Sequence, residues 1–114
     1  MGDDCIFCRI VAGQIPAQRL HDDDQVMAIR DINPQAPVHV LILPKRHIAT
    51  LMDADGTPAL YGRIVEVARA LAQSLGIADK GFRLLTNCGP EGGQAVPHVH
   101  FHLLGGRSMG WPPG

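Results

Sequence analysis

No apolar run in this chain approaches the roughly twenty residues that a membrane-spanning helix needs, which argues against a membrane protein. An excess of one charge is missing too. Ten Lys plus Arg stand against eleven Asp plus Glu, a formal net charge of -1, so nothing here forms an electrostatic footprint for polymeric nucleic acid or an anionic membrane. A small ligand suits that balance better. Cysteine is scarce and odd in number, Cys5, Cys8 and Cys88, and the opening Met1-Gly2-Asp3-Asp4 is acidic where a secretory signal would be basic. Both features speak against a disulfide framework and for a reduced, cytoplasmic protein. No internal repeat or low-complexity linker divides the sequence, so residues 1–114 read as one domain. A chain of 114 residues can bury a core with little to spare, and an interface with a second copy would add to it, which makes a homodimer the expected state.

What is present is a clear alternation of local patterns. Ile6, Phe7, Ile10 and Val11 recur at helical spacing before Gly13, and Pro16 prevents continuation, which predicts a short amphipathic helix. Arg19–Asp22, Val26–Arg30 and Val38–Leu43 read as strands, the first two forming a hairpin across Asp22-Asp23-Asp24. From Thr57 to Leu75 the apolar stripe Leu60, Ile64, Val67, Ala68, Leu71 and Leu75 predicts the one long helix, opened by Thr57-Pro58 and stopped by Gly76. Phe82–Asn87 and Val99–Leu104 supply two further strands. The order helix, three strands, helix, two strands predicts an α+β domain with a largely antiparallel five-stranded sheet.

The last strand carries the densest chemistry. His98-Val99-His100-Phe101-His102-Leu103-Leu104 alternates so that three imidazoles share one strand face and three apolar residues the other. Histidine serves as base, acid, nucleophile or metal ligand near neutral pH, so three in register concentrate reactive capacity that a fold does not require. Same-face neighbours on a strand lie about 6.6 Å apart and the outer pair about 13 Å, so one ion cannot be held by all three, and their roles divide. Upstream, Gly89-Pro90-Glu91-Gly92-Gly93-Gln94 leads straight into this segment, and glycines let backbone N–H groups approach an anion such as phosphate. A histidine beside an anion cradle can attack phosphorus directly, with no cofactor needed for the chemistry.

Cys5-Ile6-Phe7-Cys8 admits three readings: a zinc half-site completed by His47 and His98, a redox couple, or two small apolar residues packed in the core. The redox reading lacks its usual βαβ setting. Cys88 has no partner at metal spacing.

Taken together, His98 through Leu104, Asp31-Ile32-Asn33-Pro34-Gln35-Ala36-Pro37-Val38-His39, Ile42-Leu43-Pro44-Lys45-Arg46-His47, Gly105-Gly106-Arg107 and Trp111-Pro112-Pro113-Gly114 resemble the histidine triad (HIT) family, in its nucleotide-binding branch. The resemblance implies a HIT-like fold whose sheet continues across a dimer. It also implies hydrolysis of purine nucleoside phosphoramidates and related adenylates, releasing AMP through a covalent nucleotidyl-histidine. His100 would be the nucleophile, His102 would hydrogen-bond the phosphate, and His39 would support His100. Nucleotide contacts would come from Phe7, Ile10, Ile29 and Ile32 at the base, Asp31 at the ribose, and Asn87, Gly93, Ala95 and Val96 at the phosphate, with Trp111 of the tail influencing substrate choice. A structural zinc would be held by Cys5, Cys8, His47 and His98. Ala95 departs from the family pattern, where many relatives carry a serine that assists the leaving group. Two other functions fit less well: a dinucleoside polyphosphate hydrolase, the other large branch of the family, and a nucleotide-binding scaffold without turnover.

Overall fold

The computed structural model describes residues 4–114; the acidic Met1-Gly2-Asp3 lies outside them. Seven elements follow in order: α1 (Ile6–Val11), β1 (Arg19–Asp22), β2 (Val26–Arg30), β3 (Val38–Pro44), α2 (Pro58–Ser74), β4 (Phe82–Thr86) and β5 (Phe101–Gly105). The strands form one sheet in the order β1-β2-β3-β5-β4, antiparallel at every pairing, so the expected α+β class holds. Its outer edges are β1 and β4. No helix among the described residues is long and apolar enough to cross a membrane.

The helix boundaries follow from capping chemistry. Thr57 is extended and its side chain accepts from the Leu60 amide, while Pro58 occupies the first turn, where its missing N–H costs nothing. In α1 the Cys5 sulfur plays the same part, accepting from the Cys8 amide.

Each face of the central strands is covered by a different helix, which is why β2 and β3 are nearly continuous apolar runs. On one face Val26, Ala28, Val40, Ile42 and Leu103 pack against Leu60, Ile64, Val67, Ala68, Leu71 and Ala72 of α2. Burying each of the large aliphatic side chains contributes about 2 kcal/mol of transfer free energy. On the other face Met27, Ile29, Leu41 and Leu43 meet Cys5, Phe7 and Ile10. His39 and His102 lie on this second face, the one that α1 covers. His102 pairs with Leu41 across β3 and β5, and His39 lies two residues before Leu41, so the two imidazoles are diagonal neighbours.

The structure corrects one expectation. Strand pairing in β5 begins at Phe101, not at Val99, and residues 96–98 bend before it. The His98 N–H turns back onto the Val96 carbonyl at 2.8 Å, and Val99 donates to the Ile48 carbonyl at 2.7 Å rather than to the β5 ladder. Only His102 of the three therefore sits on a strand. His98 and His100 precede it on an extended segment that is free to send their rings in different directions.

Candidate active site and metal centre

The four histidines of the α1 face divide into two working groups. His100 and His102 have ring centroids 5.1 Å apart, and Phe7 of α1 packs against His100 at 4.9 Å. The His100 Nδ1 lies 2.7 Å from the His98 carbonyl oxygen. A carbonyl only accepts, so Nδ1 carries the proton and Nε2 of a neutral His100 presents a lone pair. That is the tautomer a nucleophile needs.

His102 is fixed from the opposite direction. The Gln35 backbone N–H donates to His39 Nδ1 at 3.0 Å, so neutral His39 carries its proton on Nε2. His39 Nε2 lies 2.9 Å from His102 Nδ1 and donates to it, which leaves the His102 proton on Nε2. One imidazole thus offers a lone pair and its neighbour an N–H. Burial lowers the His102 pKa to about 4, with the neighbouring His100 and His39 adding to the shift and Asp31 opposing it. Burial also depresses His39, again against Asp31. Both are neutral near pH 7.

This arrangement corrects the expected role of His39: it supports His102, not His100, because the β3–β5 register makes it the diagonal neighbour of residue 102 while His100 is satisfied by backbone. Asp31 stands close by, its Oδ2 3.4 Å from His39 Nε2 and its Oδ1 accepting from the Asn33 amide at 2.8 Å. Asp31, His39 and His102 bring their ligand atoms within 4.8 Å of one another. A metal there would have to displace the proton on His39 Nε2 and push one onto Nδ1, against the Gln35 N–H, so the group is built for hydrogen bonding.

The remaining sequence-predicted contacts differ in setting. Phe7, Ile10 and Ile29 are buried on the α1 face. Ile32, by contrast, projects from the loop after β2 with 99% of its surface exposed, and Trp111 is 84% exposed. Ile32 therefore does not join the apolar cluster around Phe7 within this chain. Asn87, Gly93, Ala95 and Val96 belong to the loop from β4 to His98; just before it, at the end of β4, the Thr86 hydroxyl donates to the His100 carbonyl at 2.7 Å. Gln94 holds this loop in shape, its Oε1 accepting from Gly89 N and its Nε2 donating to the Ala49 and Val96 carbonyls. Glycine is required at 92, where a Cβ would lie 2.3 Å from the Cys88 carbonyl oxygen. Sequence reading assigned no role to Gln35, Thr86 or Gln94. The first two act through a backbone amide and a strand register that no motif encodes, and a glutamine inside a glycine-rich turn was the only available signal for the third. A cavity of about 300 Å³ between the β1–β2 turn and the start of α2 is lined by Asp24, Gln25, Pro44, Arg46, Thr57 and Leu60, none of them a predicted site residue.

Cys5, Cys8, His47 and His98 converge 93 residues apart in sequence at their extremes. His98 Nδ1 is 3.2 Å from the Cys5 sulfur and 3.6 Å from that of Cys8, and His47 Nδ1 is 3.3 Å from the Cys8 sulfur. A tetrahedral zinc with its usual bond lengths separates S and N ligands by about 3.6 Å. The ring of His98 is prepared for it, since Nε2–H donates to the Pro44 carbonyl at 2.8 Å and the Nδ1 lone pair faces the sulfurs. Burial, with the Cys5 thiol alongside, pushes the Cys8 pKa up to about 11. Two thiols so placed gain a great deal from a divalent cation, and the donor set fits one. Of the readings open for the Cys-x-x-Cys pair, this geometry favours the metal.

Comparison with known proteins agrees with this geometry. The family model described as HIT domain matches residues 12–109. Purine nucleoside phosphoramidase of Escherichia coli is 46% identical over 96% of this chain and 93% of its own length. A 14 kDa zinc-binding protein of Brassica juncea is 44% identical over 97% of this chain and all of its own. The crystal structure of a HIT family hydrolase from Legionella pneumophila superposes with a TM-score of 0.92 at 49% identity, covering 96% of this chain and 99% of that one.

Proposed function

The chain belongs to the HIT domain family, and from that premise we propose that it is a nucleotidyl hydrolase that cleaves purine nucleoside phosphoramidates and releases AMP. The observation that carries the proposal is the pair of opposed tautomers: a lone pair on His100 Nε2 beside an N–H on His102 Nε2. His100 Nε2 attacks phosphorus, the P–N bond breaks, and the leaving nitrogen takes a proton from solvent, because Ala95 offers no hydroxyl. His102 donates to a phosphoryl oxygen as charge develops there. Water then attacks the nucleotidyl-His100, its oxygen bonding to phosphorus and its proton passing to solvent, while the N–P bond breaks, the electron pair returns to His100 Nε2, and AMP departs.

Phe7, Ile10 and Ile29 would form the wall for the base, with Ile32 closing over it only when ligand draws the loop inward. Asp31 would receive the ribose hydroxyls, the Asn87–Val96 loop the phosphate, and Trp111 would act on substrate choice from a neighbouring subunit. Cys5, Cys8, His47 and His98 would hold a structural zinc that ties α1 to the segment before the nucleophile. A second copy would extend the sheet at one of its free edges, β1 or β4. Three unbridged cysteines suit a reducing cytoplasm.

Brief incubation with adenosine phosphoramidate, acid-free quenching and peptide mass mapping should find one adenylyl group on the peptide containing His100, and none in His100→Ala. An adduct on another residue, or undiminished AMP release by His100→Ala, would overturn the proposal.

A further inference from the structure

We propose that Arg107 is a positioning residue for the reaction, setting from the surface which nitrogen of His102 carries the proton. Its Nε donates to the Gln35 carbonyl at 2.9 Å. The amide of that same residue donates to His39 Nδ1 at 3.0 Å, and His39 Nε2 lies 2.9 Å from His102 Nδ1. Three consecutive hydrogen bonds thus join an exposed guanidinium to the imidazole that faces the phosphate.

The segment carrying Arg107 is built to press on this loop. Gly106 has a φ of +89°, a conformation that glycine adopts without strain, and a Cβ there would lie 2.8 Å from the Cβ of Pro37. The chain leaving β5 therefore turns directly against Pro37 and delivers the guanidinium two residues upstream, at Gln35. A second bond, from Arg107 NH1 to the Ser108 carbonyl at 3.0 Å, fixes the fork. Within the loop, Gln35 Nε2 donates to the Asn33 carbonyl and the Asn33 amide to Asp31. The loop's own bonds thus run back towards Asp31, and Arg107 supplies a side-chain tie from outside it.

The consequence is chemical. An imidazole in water has two neutral tautomers of similar energy; at His39 the Gln35 N–H aimed at Nδ1 favours Nε2–H, with the Asp31 carboxylate 3.4 Å from Nε2 acting in the same direction. If Gln35 drifts, His39 can protonate Nδ1 instead and accept at Nε2. His102 must then protonate Nδ1 to meet it, and its Nε2 turns from donor to acceptor. A phosphoryl oxygen would face a lone pair.

The inference deepens the hydrolase reading and rests on it for its kinetic part. Arg107→Met keeps the stem and removes the donor; Arg107→Lys keeps a donor. Long-range proton–nitrogen NMR of the labelled full chain should show Nε2–H tautomers at His39 and His102 in the parent protein and a mixture in Arg107→Met. The turnover of adenosine phosphoramidate should fall about three- to tenfold, the weight of one hydrogen bond, with KM unchanged. Arg107→Lys should recover most of both. Parent tautomers retained in Arg107→Met, or a lysine that restores neither readout, would overturn the proposal. If the parent protein releases no AMP at all, the hydrolase reading fails by itself, and the tautomer populations still decide whether the relay exists.

Discussion

His98 and His100 are joined by a hydrogen bond of 2.7 Å in which the nucleophile candidate's Nδ1–H is held by the backbone carbonyl of a metal-ligand candidate. The same residue that closes the Cys5–Cys8–His47 cluster therefore also sets the tautomer of His100. Chemistry and scaffold meet in one peptide unit.

Loss of a metal ligand should accordingly be felt twice. Cys8→Ser, or exhaustive chelation, should lower the melting temperature by ten degrees or more, since a structural zinc site contributes several kcal/mol to folding. AMP release should fall with it at temperatures where the variant is still folded. Metal analysis with calorimetry checks the first part; a zinc-free preparation that melts at the parental temperature would refute it.

Stability should depend on pH in a definite direction. His102 titrates near 4 in the folded protein against about 6.5 when unfolded, and burial depresses His39 as well. The unfolded chain therefore binds more protons between those values, so the histidine contribution is fully present above about pH 6.5 and is lost as pH falls toward 4. Thermal melts from pH 4 to 8 should trace that slope. Replacing His102 with Asn should reduce it, leaving the share of the other buried histidines, His39 and His98.

By the family resemblance, Ala95 takes a position where a serine would assist departure of the leaving group. Ala95→Ser should raise turnover of phosphoramidates with poor, strongly basic leaving amines by about a hundredfold, the lower end of what general acid assistance contributes, while leaving good leaving groups unaffected. A rate ratio across a series of amines measures this. An equal effect on every member would remove the role from this position.

Asp23 ties the β1–β2 turn to α2: it accepts from His21, from the amides of Gln25 and Val26, and from Arg63. Partial burial raises its pKa, but these donors outweigh it and hold the carboxyl well below the usual range. Asp23→Asn should cost about 1–2 kcal/mol, discounted for its solvent exposure, with nucleotide turnover unchanged. That stabilisation is present above pH 4 and fades in stronger acid, and urea titrations at pH 7 and pH 3 would measure both.

Much of this protein is written locally. The helical stripe of α2, its Thr57-Pro58 start, the hairpin strands and the order of elements follow from periodicity and capping, because those depend on neighbours a few residues away. The candidate reactive side chains were equally legible, since histidine is the side chain whose ordinary pKa lies nearest neutral pH. What the linear chain could not fix is which partner each imidazole finds. A strict alternation from 98 to 104 implied one strand face, yet pairing starts only at Phe101 because Val99 is taken by Ile48, and that frees His98 to turn to Cys5 and Cys8. His39 serves His102 because of the β3–β5 register, and Gln35 sets its tautomer through a backbone amide. Sequence determined the inventory of groups and the elements that carry them. The tertiary structure alone decided where each proton sits, because a tautomer is chosen by the donors and acceptors about 3 Å away, and His39 and His102, 63 positions apart, meet only in the folded sheet.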